Sequence, residues 1–132
     1  MATEVQREET PVMGVRTTDD LAAIRSAWDR LEEIVPLRGR KFFGAVDKSA
    51  SDYFACVEVH DGEDPAELGL EPGTLPGGRY LRERLRSEPP ELYDRIAPAF
   101  QALAATTQRD ESRPEIEFYR RRDEVDVLFP VA

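Results

Sequence analysis

A chain of 132 residues, 40% hydrophobic and 34% charged, is long enough to bury one core and too short for two independent ones. Its formal net charge of −9 argues against general affinity for phosphate backbones, which depends on neutralisation by Lys and Arg, so nucleic acid is a poor partner. A single cysteine, Cys56, excludes an internal disulfide, and with only one histidine, His60, there is almost no material for a zinc site or a Cys/His catalytic pair.

Met1 to Glu9 is polar and acidic, unlike a secretory signal, and no run approaches the ~20 apolar residues of a membrane span. A soluble, cytoplasmic protein is expected. From Glu4 to Arg16, short apolar alternation interrupted by Pro11 suggests one edge strand bent at the proline. Thr17, Thr18, Asp19 and Asp20 supply a helix start, and Leu21, Ile24, Trp28, Leu31 and Val35 recur at three- and four-residue steps until Pro36 closes the element. Lys41–Asp47 and Tyr53–Val59 read as an antiparallel hairpin. Cys56 lies in its second strand, where a buried, inert thiol is expected. Asp61–Gly78, loaded with Gly, Pro, Asp and Glu, reads as a surface connection.

The order then begins again. Gly78–Arg86 alternates as a strand, Ser87-Glu88-Pro89-Pro90 opens a helix with Ser87 as its cap, and that helix runs to about Thr107 with a kink near Asp94 to Pro98. Pro114–Arg122 and Glu124–Val131 form a second hairpin about Arg122-Asp123. The chain therefore reads as an α+β domain over residues 1–132. It is a duplicated β-α-β-β repeat, about 3–60 and 77–132 with a loop at 61–76, forming an antiparallel sheet with two helices. Two halves paired about a pseudo-twofold axis leave a ligand groove at their junction. Arg79, Arg82, Arg84 and Arg86, and Arg120, Arg121 and Arg122, are expected on solvated strand faces opposite Glu and Asp.

The run Arg113-Pro114-Glu115-Ile116-Glu117-Phe118-Tyr119, with Val125-Asp126-Val127-Leu128-Phe129-Pro130-Val131 after a short turn, resembles the ending of GyrI-like domains, which also serve as effector-binding regions of AraC- and MerR-type regulators. Leu75-Pro76-Gly77-Gly78-Arg79-Tyr80 is similar to that family's glycine-rich entry to the strand before the second helix. One departure stands at Leu85-Arg86-Ser87-Glu88-Pro89-Pro90, where the family often has a His and a Gly. The resemblance implies a pocket glutamate at Glu117 paired with Tyr119. By spacing alone, Glu117 reads instead as a surface strand residue balancing Arg120 to Arg122. Trp28 reads as core or as groove wall, and Tyr53, Phe54 and Tyr80 are further wall candidates.

Three functions are compatible with this pattern. The first is a small-molecule binder without a DNA-binding segment, acting in sensing, sequestration or resistance on drug- or antibiotic-like, cationic or aromatic ligands. The second is a hydrolase of strained cyclopropane-containing compounds in which Glu117 and Tyr119 are catalytic. The third is a protein-interaction module, such as a gyrase modulator. No cofactor or metal is expected. A protein partner would be needed for transcriptional control, and monomer and dimer both remain open.

Overall fold

The computed structural model describes residues 2–132. Helix α1, Leu21–Ile34, starts where the sequence signals it: Asp20 has extended backbone and its side chain accepts a hydrogen bond from the Ala23 amide at 2.9 Å. The helix ends with the Val35 amide donating to the Leu31 carbonyl, just before Pro36. Ala27, Leu31 and Val35 are buried, whereas Ile24 and Trp28, expected in the core, are half-buried. Leu21, also expected on the buried stripe, is 67% exposed. At the first helical position its side chain leans toward the N-terminus, off the end of the helix, where nothing packs.

Among the described residues, eight antiparallel strands form one curled sheet: β1 (Thr3–Arg7), β2 (Thr10–Thr18), β3 (Phe42–Asp47), β4 (Asp52–Glu58), β5 (Glu71–Leu75), β6 (Gly78–Arg86), β7 (Glu115–Arg121) and β8 (Glu124–Pro130). Their order is β1-β6-β8-β7-β3-β4-β2-β5. The block β6-β8-β7 mirrors β2-β4-β3, and the halves join where β7 pairs with β3. Both predicted hairpins form, β3 with β4 and β7 with β8.

The structure corrects two strand expectations. The bent edge strand over Glu4–Arg16 is two strands, separated at Glu8-Glu9 rather than at Pro11. Strand β1 lies at the outer edge of the second half against β6, and β2 lies inside the sheet between β4 and β5. The Asp61–Gly78 connection contains β5, which pairs with β2. Each half thus contributes a leading strand to one edge: β1 from the first half joins the second, and β5, leading the second, joins the first. The two short links that make this exchange pack together, since a Cβ on Gly77 would lie 2.9 Å from the Glu9 nitrogen and 3.0 Å from the Arg7 oxygen. Only a glycine permits that approach.

The second predicted helix is split into α2 (Glu91–Asp94) and α3 (Ile96–Thr106). The break at Arg95 falls within the predicted kink. Pro98 has no amide for the Asp94 carbonyl, and its ring crowds that oxygen. The predicted Ser87 cap does not form: Pro90 occupies the N-cap position without a side-chain bond, and the Ser87 amide donates to Asp123 O at 3.1 Å.

The helices cover one sheet face. Leu31 of α1 packs with Met13, Phe42, Tyr53 and Val57 of the strands, and Leu92 of α2 and Phe100 of α3 pack with Val125, Val127 and Phe129 of β8. Phe43, Phe54, Cys56, Tyr80, Ile116 and Leu128 form a third cluster on the opposite, inner face. Most of the strand arginines pair as expected, with Arg84 on Asp126, Arg86 and Arg120 on Glu124, and Arg122 on Glu88, whereas among the described residues Arg82 and Arg121 make no ion pair. Among the described residues no helix is long and apolar enough to cross a membrane.

Candidate functional site

Alternation along β7 sends Glu115, Glu117 and Tyr119 to the helix side and Ile116 and Phe118 to the inner face. Register then brings Gly44 of β3 opposite Glu117, and Phe42 opposite Tyr119. Tyr119 is therefore at the seam between halves, packed against both the α1 and the α2/α3 clusters. Immediately beyond it the β7–β8 register shifts between Tyr119 and Arg121. Such an irregularity locally re-aims side chains.

Glu117 is 8% exposed. The hydroxyls of Tyr53 and Tyr119 both donate to its Oε1, at 2.7 and 2.6 Å, while Oε2 accepts no side-chain hydrogen bond. The indole of Trp28 donates to the Tyr53 oxygen at 3.2 Å and meets the Tyr119 ring edge-on with centroids 5.1 Å apart. Phe42 and the half-exposed Tyr93 extend the aromatic surround. One carboxylate thus sits among five aromatic side chains.

Burial pushes the Glu117 carboxyl above the usual carboxylate value, against the opposing pull of the two phenol hydrogen bonds, and Asp19 and Glu115 add like-charge repulsion. Burial and the neighbouring carboxylate push Tyr53 and Tyr119 well above the ordinary phenol value, so both remain protonated donors. The arrangement offers a counter-charge with one oxygen uncommitted, in a low-dielectric aromatic setting.

Of the predicted site residues, the structure brings Trp28, Tyr53, Glu117 and Tyr119 together. It does not bring Phe54 or Tyr80 to them. Both lie in the inner-face cluster, where Phe54 carries the Arg16 guanidinium 4.5 Å from its ring centroid and Tyr80 donates to the Pro76 carbonyl at 2.7 Å. Sequence reasoning missed Gly44, Phe42 and Tyr93. Gly44 makes the site sterically possible: a Cβ there would lie 2.0 Å from the Tyr53 hydroxyl and 2.6 Å from Glu117 Oε1. A glycine inside a strand pattern was the available signal, because it marks close approach of another group. Cys56 is buried, its thiol raised by desolvation. His60 is exposed beside Glu58.

Two concavities lie away from this cluster. One, about 450 Å³, is bordered by the β3–β4 turn, β5 and residues 109–115, with Phe54, Leu75, Arg16 and Arg109 in its lining. The other, about 390 Å³, lies over β1, β6, β8 and β7.

No family model matches the chain, and no curated protein matches it by sequence. Solved structures do match. An integron cassette protein from the mobile metagenome of Vibrio cholerae superposes with a TM-score of 0.74 at 19% identity, covering 99% of this chain and 95% of that one. SAV2435, in a structure bound to tetraphenylphosphonium, gives 0.69 at 13% identity over 100% and 94%. A hydrolase from Listeria innocua gives 0.60 at 10% identity over 99% and 91%. At these identities the likeness is one of fold, and it extends over nearly the whole length of each chain: a curled antiparallel sheet with helices on one face.

Proposed function

We propose that the chain binds an amphipathic, cationic small molecule at the seam between its halves, as GyrI-like domains do, for sensing or sequestration. The observation that carries this reading is Glu117: one desolvated carboxylate under aromatic rings, with Oε2 unbonded and two protonated phenols fixing Oε1. A lipophilic cation gains charge neutralisation there that a neutral molecule does not, and ring faces supply its contact area. The fold likeness to a protein bound to tetraphenylphosphonium supports the same ligand class. Trp28 is hydrogen-bonded to Tyr53 and packed edge-on against Tyr119, the two phenols that hold the carboxylate, so in this reading a ligand enters by displacing Trp28, the only tryptophan of the chain.

Titration with tetraphenylphosphonium by calorimetry, with Trp28 emission followed in parallel, tests this reading. One saturable site accompanied by an emission change is expected. Absence of saturation with any of a panel of aromatic cations rejects it.

Hydrolysis is the second reading, favoured by the uncommitted Oε2 on a carboxyl whose proton affinity is raised by burial. In it, Glu117 takes a proton from a water whose oxygen bonds to a ring carbon of a cyclopropane conjugated to a carbonyl; the ring C–C bond breaks, its electron pair passes to the carbonyl oxygen, and Tyr119 donates to that oxygen. Tyr119 would have to leave Glu117 to do so, which makes binding the better-supported reading. Incubation with excess cyclopropane-bearing electrophile separates the two: multiple turnovers establish hydrolysis, and recovery of intact compound leaves binding alone.

A further inference from the structure

The 390 Å³ concavity on the inner face is basic on a strongly acidic chain. Arg7, Arg82, Arg84 and Arg120 line it, with Asp126 as the only carboxylate in the lining. Two of these cations are already engaged. Arg84 grips Asp126 through two hydrogen bonds, 2.8 and 3.1 Å, and Arg120 reaches Glu124 at 2.6 Å. Among the described residues the guanidiniums of Arg7 and Arg82 make neither a hydrogen bond nor an ion pair.

Arg7 is the more telling of the two. Its guanidinium is half-buried over the stacked rings of Phe43 and Phe118, 5.4 and 5.8 Å from their centroids, and desolvation lowers its pKa. A guanidinium taken partly out of water without a hydrogen-bonded anion forgoes hydration and gains ring contact and the attraction of the already engaged Asp126 in return. Five N–H donors in a planar fork suit a carboxylate or phosphate, and Val5, Phe118 and Leu128 give the same concavity an apolar floor.

We propose that this concavity is a second binding site, distinct from the aromatic seam, for an oxyanion carried on an apolar or aromatic group, with Arg7 and Arg82 as its cationic anchors and Phe118 beneath the apolar part. Glu117 and Tyr119 face the other side of the sheet and take no part in it. The site binds anions where the seam binds cations, so the two fail or succeed separately.

The test is calorimetric titration with phenyl phosphate, benzoate and inorganic phosphate, at low and high salt. One saturable site is expected for an aromatic anion, weakening as salt rises, with inorganic phosphate weaker than phenyl phosphate for want of the ring. Whether phenyl phosphate or benzoate binds more tightly identifies phosphate or carboxylate as the natural headgroup. Arg7→Gln and Arg82→Gln should each weaken binding by about 10-fold or more, the scale of a lost hydrogen bond to a charged group. Glu117→Gln should leave it unchanged.

The proposal is overturned if none of the three anions saturates at millimolar concentration, if the folded arginine variants bind as the parent does, or if Glu117→Gln abolishes binding. Should Arg7→Gln fail to fold through loss of its ring contacts, Arg82→Gln decides alone, since Arg82 supports no aromatic stack.

Discussion

Replacing Glu117 by Gln removes the charge of the seam site while keeping its shape and a carbonyl oxygen for the two phenols. For tetraphenylphosphonium the phenyl groups hold the positive centre ~6 Å from the nearest carboxylate oxygen, where Coulomb's law with an effective dielectric of ~20 gives about 3 kcal/mol of attraction. The carboxylate must give up residual solvation when the cation arrives, so a net loss of about 2 kcal/mol, roughly 30-fold in Kd, is expected for the variant. Triphenylphosphine oxide, similar in its rings and neutral, should bind parent and variant within about 3-fold, because the ring contacts are untouched. Calorimetry at neutral pH gives both affinities, with thermal unfolding as the control for folding. Equal affinity of parent and variant for the cation would refute the assignment of Glu117 as counter-charge. Equal losses for both ligands would show that the substitution acts through shape.

The pH dependence of stability carries a sign that can be checked. Because the folded-state pKa of Glu117 is raised, its contribution is fully present below the unfolded carboxyl value and lost as pH rises through the folded one. The stability of the parent minus that of Glu117→Gln, from urea unfolding, should therefore fall as pH rises above the ordinary carboxyl value, whereas a rise would contradict the assigned direction. Carboxyls held low by their partners, such as Glu63 beside Arg40, slope the opposite way but cancel in the difference. Gly44→Ala should lower stability by about 1–3 kcal/mol through overpacking against Tyr53 and Glu117, read as a fall in Tm, and should weaken cation binding. A neutral result would mean that the carboxylate–phenol cluster moves aside easily. The Cys56 thiol should be inert to a thiol-specific reagent in the native state and react only on unfolding, since burial holds it protonated. Rapid native labelling would show an inner face more open than described.

The elements that read clearly in the sequence are those whose own side chains specify them. Asp20 caps α1, Pro98 breaks the second helix, and the β-branched and aromatic runs pair as hairpins. Strand β5 was not legible because Glu71-Pro72-Gly73-Thr74-Leu75 has a single large apolar residue and both common strand breakers. It is a strand because β2 offers it a row of partners, a tertiary fact. The exchange of β1 was hidden for the same reason: nothing in Thr3–Arg7 says which edge it joins.

In the candidate site, period-two alternation made Glu117 and Tyr119 companions, and the same rule makes Tyr53 and Phe54, adjacent in β4, unable to line one groove. Choosing between them required the face on which α1 lies, which alternation alone does not give. Tyr80 fell to the inner face for the same reason. Gly44 was legible only as a gap, and its meaning depended on which residue stood across from it.

The exchanged leading strands bear on how the chain must assemble. Thr3 pairs with Arg82 and Thr10 with Leu75, so the β1 edge closes only when β6 is in place and the β5 edge only when the chain has run on to Leu75. Closing such distant pairings costs loop entropy before contacts compensate, which places this chain among slow folders for its size. A fragment ending before β5 would contain β1 without β6 to receive it and β2 with an unpaired side. Two such fragments could satisfy each other by trading β1 strands, so that a truncated chain tends toward an intertwined dimer rather than a stable half-size monomer.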